Sequence, residues 1–231
     1  MIYKKSIIVI NLIIGFISFS FGENVLYDTK FNKNILYIGV PSLAISFFLD
    51  KKIDEFVKHN KSKSQNTIWE SITYLGSPYI IGLGTAGYMY GYFSKNSKLL
   101  QSSVLATQSS VISAVIVIPI KYITKRKRPS KEDNLSFPSA HSAIAFAFWG
   151  SYAQEYNEGI KKYILWSIPF FVAYSRLYLE KHWLSDVVAG GLIGVSSIYL
   201  AKKLTNFLSI RYNINIFIDI SSNKAGIIYI F

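Results

Sequence analysis

Three short segments hold most of the side chains whose types and spacing suit phosphate chemistry. In KYITKRKRPS, Lys121 and Arg128 are separated by six residues and Pro129 follows. Nine residues beyond Pro129, Pro138 opens the run Pro138-Ser139-Ala140-His141. Further on, Ser175-Arg176 is followed after five residues by His182 and after three more by Asp186. A planar guanidinium grips two phosphate oxygens at once, and an ammonium adds a point charge. Arg128, Arg176 and Lys121 therefore suit the equatorial oxygens of a phosphoryl group in transfer. Ser139 and Ala140 stand at the head of an apolar helical run, where free N–H groups and the helix dipole attract an anion. His182 and Asp186 are four apart, on one face of a helix, so the carboxylate can hold one imidazole nitrogen and leave the other free to attack phosphorus.

Each piece alone has a plainer reading: a flank of a membrane segment, a polar helix start, a helix-surface pair. All three in this order, using His141 and His182 of the chain's three histidines, resemble the type 2 phosphatidic acid phosphatase superfamily. That group also holds bacterial class A acid phosphatases, glucose-6-phosphatase and vanadium haloperoxidases. The resemblance covers roughly residues 68–203. It implies a phosphohistidine intermediate at His182, oriented by Asp186, with His141 as the general acid and Lys121, Arg128, Ser139, Ala140 and Arg176 around the phosphate. It implies no metal and no cofactor. One departure stands out, because Ala140 takes the place of the family's usual glycine; the backbone N–H is kept, but a positive φ is less accessible.

These residues must be positioned by helices. Lys4 and Lys5 precede an apolar run from Ser6 to Phe21, followed by the small residue Gly22, which reads as a signal peptide or N-terminal anchor over 1–22. Residues 23–67 read as an N-terminal helix and a polar linker, since the apolar part from Ile35 to Leu49 is short of the roughly 20 residues that span a bilayer. Residues 68–203 read as the helical core: apolar stretches at 68–93, interrupted by Gly76-Ser77-Pro78, and at 99–120, both long enough to span, then helices near 141–156, 164–179 and 184–200. Residues 204–231 alternate around SSNKAG and read as a small β-hairpin. The expected fold is all-α, a membrane-associated bundle of about six helices with a small C-terminal β-hairpin.

Composition narrows the function. With no cysteine, disulfides and thiolate metal sites are excluded, and three histidines leave little for a histidine-rich metal cluster. Half the residues are hydrophobic and 16% are charged, below the roughly 25% of an ordinary soluble domain, which favours the membrane. The net charge of +12 suits anionic lipid, nucleic acid or a phosphorylated substrate alike, so position decides. If the leader and five helices span, Lys4, Lys5, Lys95, Lys98, Lys161, Lys162, Lys202 and Lys203 fall inside, while 121–138 and 175–183 fall outside. The basic run then breaks the positive-inside rule and reads as the wall of a site. Lys125, Arg126 and Lys127 lie off the motif and read as a solvated or headgroup face, and no nucleic-acid signature accompanies them. Gly190, Gly191 and Gly194 read as allowing close helix packing.

The expected protein is a metal-independent hydrolase of the bacterial cell envelope, in the inner membrane with its site facing the periplasm. Its substrate class is lipid phosphates or diphosphates, such as phosphatidic acid, phosphatidylglycerol phosphate or undecaprenyl diphosphate. The alternatives are a soluble periplasmic non-specific acid phosphatase and a vanadium haloperoxidase. The partners expected are the lipid substrate and the membrane, and not nucleic acid.

Overall fold

Apolar stretches cut by glycine, proline and polar breaks fold into seven α-helices among the residues that the computed structural model describes, which are 35–212, 214–219 and 224–229. They are α1 (Val40–His59), α2 (Asn66–Thr73), α3 (Ile80–Phe93), α4 (Ser97–Thr124), α5 (Ala140–Glu155), α6 (Gly159–Tyr178) and α7 (Leu184–Tyr212). The leader expected over 1–22 lies outside the described residues.

Helix α5 is the axis of the bundle and packs against α4, α6 and α7. Ser139 starts it as an extended N-cap whose hydroxyl accepts from Ser142 N at 3.3 Å. Its alanines at 143, 145, 147 and 153 are fully buried, which lets the neighbouring helices come close, while Phe146 and Phe148 fill the space between them. Phe146 packs with Trp166 of α6 and with Leu192 and Val195 of α7, and Phe148 with Ile80 of α3 and Ala106 of α4. Truncating such a ring to alanine costs about 3–5 kcal/mol.

The approach of α7 to α5 depends on glycine. A side chain at Gly190 would strike the Ser139 carbonyl, and one at Gly194 would strike that of Ala143 and lie 2.8 Å from Phe146 Cβ. The packing role read for these two positions is what the structure has.

The stretch 68–93 differs from expectation. It is not one spanning helix: α2 ends at Thr73, a 3₁₀ turn covers Tyr74–Gly76, and α3 begins at Ile80. Ser77 is extended, as a residue before proline prefers, and a Cβ on Gly76 would meet the His141 carbonyl at 2.5 Å. The break therefore seats the chain against the start of α5. With 14 residues, α3 is roughly 21 Å long, too short to cross a bilayer alone.

Among the described residues two helical segments, Ser97–Thr124 and Leu184–Asn206, are long and apolar enough to cross a membrane. The apolar window of the first is 39% buried and that of the second 67%, so α7 runs through the core while α4 turns Val111, Val115 and Ile118 outward. The charges separate along the bundle. At one end Lys98 lies 5.0 Å from the Tyr156 ring and Lys202 bonds Gln154 at 2.9 Å. At the other, Lys121 bonds the Leu135 carbonyl at 2.6 Å and Ser130 N bonds that of Glu180 at 3.0 Å. The 28 residues of α4 join these ends over roughly 40 Å. The segments 121–138 and 175–183 thus share one end, as the charge pattern requires.

The all-helical body carries the fold. Helix α7 continues to Tyr212, past residue 203 where the core was expected to stop. The C-terminal β-hairpin expected over 204–231 is not supported as an element of this fold, and the first part of that stretch, 204–212, continues α7 instead.

Candidate active site

Lys121 stands in the last turn of α4, which Lys125 closes in a left-handed C-cap with φ 44°. The chain then crosses the end of the bundle to Ser139, and the short segment between α6 and α7 lies against it. Arg128 is tied to that segment: Nη1 donates to the Lys181 carbonyl at 2.8 Å, and Nε to Asp133 Oδ1 at 2.7 Å. The guanidinium beside Asp133 holds that carboxyl below the usual range, against the opposing effect of its slight burial. Lys181 pairs with Glu132 at 2.5 Å, a second tie between the two segments.

His182 is 3% exposed. Its Nε2 lies 3.4 Å from Arg128 Nη1. Arginine can only donate, so Nε2 carries the lone pair and Nδ1 the proton. Nδ1 points to Asp186, whose Oδ2 is 3.5 Å away, and makes no hydrogen bond at that distance. Burial chiefly lowers the His182 pKa to about 4; Asp186 opposes this, while Arg176 and Lys121 push the same way. The ring is therefore neutral near pH 7, with its free nitrogen facing Arg128.

His141 follows Ala140 in the first turn of α5 and lies within electrostatic reach of Arg176, His182, Lys121 and Arg128. These five of the groups named from the sequence thus converge at the end of the bundle where α4, α5 and the α6–α7 segment meet. Arg176 is 7% exposed; its Nη1 reaches Thr73 Oγ1 at 3.3 Å, and its Nε has no partner. A buried donor of this kind is one that an anion can satisfy. The fully buried Ser139 hydroxyl accepts from Ser142 N and, at 3.0 Å, from Ser142 Oγ, so its own proton is left to donate. Ala140 is an ordinary right-handed helical residue and is not among the residues of positive φ, so this backbone asks for no glycine there.

One sequence reading is corrected. Lys125 and Lys127 are exposed as expected, but Arg126 is not a surface charge. Its Nη1 donates to Asp186 Oδ1 at 2.6 Å and its Nη2 to Asp50 Oδ2 at 2.6 Å. The left-handed cap at Lys125 turns the chain so that the neighbouring side chain points inward. Ser136 Oγ and Trp183 N both donate to Asp186 Oδ2, and Ser185 bonds Asp50 through its N–H and its hydroxyl. Arg126, Asp50, Ser136 and Ser185 were not legible as a group, because Asp50 is 76 residues from Arg126 in the chain and no local spacing links them.

The ordered arrangement of two histidines, three cations and a helix N-terminus at one end of a helical bundle is that of a phosphate-handling protein family. The model of the PAP2 superfamily matches residues 121–209, the segment that holds every one of these positions. It is 30% identical over 178 residues to a protein of Porphyromonas gingivalis named lipid A 1-phosphatase, covering 74% of this chain. The chain spans 38% of the length of that relative. Its fold resembles the crystal structure of Aquifex aeolicus LpxE, with a TM-score of 0.56 and 22% identity over 67% of this chain and 95% of the other. It also resembles that of a transmembrane PAP2-type phosphatidylglycerolphosphate phosphatase from Bacillus subtilis, with a TM-score of 0.59 and 19% identity over 85% of this chain and 95% of the other.

Proposed function

We propose that this chain is a membrane phosphatase that removes a phosphate from a lipid phosphate or diphosphate, with His182 as the nucleophile. The observation that carries the reading is the pairing on His182: the proton faces Asp186 at 3.5 Å and the lone pair faces Arg128 at 3.4 Å, among Lys121, Arg176 and His141. Nε2 of His182 forms the N–P bond as the bond to the leaving oxygen breaks, and that oxygen takes its proton from His141. A phosphoryl dianion bound among the cations favours the imidazolium form of His141. Water then attacks phosphorus, gives a proton to His141, releases phosphate and restores His182. Lys121, Arg128 and Arg176, with Ser139 and the N–H groups that begin α5, bear the charge of the equatorial oxygens. With three cationic side chains supplied by the chain, a divalent metal is not required.

The lipid class rests on two supports. The outward Val111, Val115 and Ile118 of α4 suit acyl chains better than water, and the names of the relatives concern lipid phosphates. The charge separation along the bundle supports a site on the periplasmic side of an inner membrane. The test is phosphate release in detergent and EDTA from lipid A, phosphatidic acid, phosphatidylglycerol phosphate and undecaprenyl diphosphate. We expect one of them to be turned over, and His182→Ala to reduce the rate by at least about 10³-fold. Full activity in that variant, or release only after divalent metal is added, refutes the mechanism.

A further inference from the structure

The side chain of Arg126 lies between two carboxylates and two aromatic rings. Asp186 and Asp50 each take one end of the guanidinium at 2.6 Å, and Nη1 also reaches Ser185 Oγ at 2.6 Å. The Phe47 ring lies 5.1 Å from its central carbon and the Trp183 ring 5.7 Å. Asp50 is 5% exposed, and Ser185 N and Oγ fix both of its oxygens, at 2.8 and 2.7 Å. A salt-bridged group with both partners this buried is held in one orientation, and it is costly to leave half made.

We propose that Arg126, anchored by Asp50, is a positioning residue for Asp186 and, through it, for the imidazole of His182. The inference rests on the reading of His182 as nucleophile and adds residues to it. Arg126 occupies Oδ1 of Asp186, while Ser136 and Trp183 N occupy Oδ2, so the carboxylate cannot rotate and the oxygen facing His182 Nδ1 is fixed. Asp50 and Phe47 belong to α1, outside the segment 121–209 that matches the family model. The N-terminal helix thus completes the support of a site whose acting groups all lie in the later part of the chain. Among the described residues the Arg126 side chain bonds Asp186, Asp50 and Ser185 and neither His182 nor a phosphate ligand, which separates its role from that of Arg128.

The experiment compares the wild type, Arg126→Gln, Asp50→Asn, the double variant and Lys127→Ala, as full chains in detergent, on the lipid phosphate that the wild type turns over. Folded sites are counted by the burst of phosphoenzyme, and thermal unfolding is recorded for each. The expected result is a kcat lower by about 10- to 100-fold in each single variant with KM within about twofold of the wild type. The double variant is no slower than the worse single one, and Lys127→Ala matches the wild type. If Arg126→Gln does not fold, Arg126→Lys takes its place; it reaches only one carboxylate and is expected to lose kcat to a smaller extent. Wild-type kcat per folded site in Asp50→Asn and the Arg126 variant, a rise in KM with kcat unchanged, or losses that multiply in the double variant each overturn the inference. Failure of the wild type to release phosphate from any lipid sinks the proposed function instead, and the two failures are distinct.

Discussion

Gly190→Ala probes whether the contact of α7 with the start of α5 sets the site. The added Cβ would collide with the Ser139 carbonyl and lie 3.1 Å from Ser142 Cβ and 3.3 Å from Ala143 N. The first and last of these are backbone atoms, so no side chain can swing away. An ordinary carbon–oxygen contact needs about 3.3 Å or more, and the two helices must therefore part by on the order of 1 Å. Overpacking of this kind costs about 1–3 kcal/mol, or about 2–12 °C in the unfolding midpoint of a domain of this size. The same movement loosens the bond from Ser139 N to the Asp186 carbonyl, now 2.9 Å, and shifts Ser139 and His141 relative to His182. A displacement of that size costs about 10²-fold in rate. The assay is phosphate release in detergent beside thermal unfolding followed by tryptophan fluorescence. Gly82→Ala is the control, because a Cβ there meets nothing within 4 Å. Unchanged kcat in Gly190→Ala refutes the reasoning, whether or not the midpoint falls.

Arg176→Lys should keep the charge and lose the fork, lowering kcat/KM by about 10²-fold with a smaller change in the unfolding midpoint; an equal fall in both would assign Arg176 to packing alone. His182 should leave a mark on stability against pH. Its folded pKa of about 4 lies below the ordinary 6.5, so between these values the unfolded chain binds more protons. The contribution is fully present above pH 6.5 and is lost as pH falls toward 4, about 3 kcal/mol in all. Unfolding measured from pH 7 to 4 should show this slope in the wild type and a flatter one in His182→Gln; equal slopes would place the buried group elsewhere.

The candidate acting residues were legible because they fall in three short segments at fixed spacings. Lys121 and Arg128, Ser139 and His141, and His182 and Asp186 are each close in the chain, and the three pairs in this order suit phosphate chemistry although each alone has a plainer reading. The all-helical body was legible too, from long apolar stretches with few strand signals. The sequence was less informative where a local signal had two readings. The apolar stretch 68–93 reads as one helix by hydropathy, but Gly76 and Pro78 break it because the turn must seat against the His141 carbonyl, a tertiary demand. Ala140 looks like a departure until the backbone is seen to be helical there, with no positive φ to satisfy.

Arg126 marks the limit most clearly. By sequence it is one of three adjacent bases off the motif, and nothing separates it from Lys125 and Lys127. Only the folded chain, by closing α4 with a left-handed residue and bringing α1 alongside α7, sets it between the buried carboxylates of Asp50 and Asp186. Spacing along a chain fixes which groups can act together when they share a helix or a loop. Which charges become buried partners depends on elements distant in sequence, and that was decided by the packing of the helices alone.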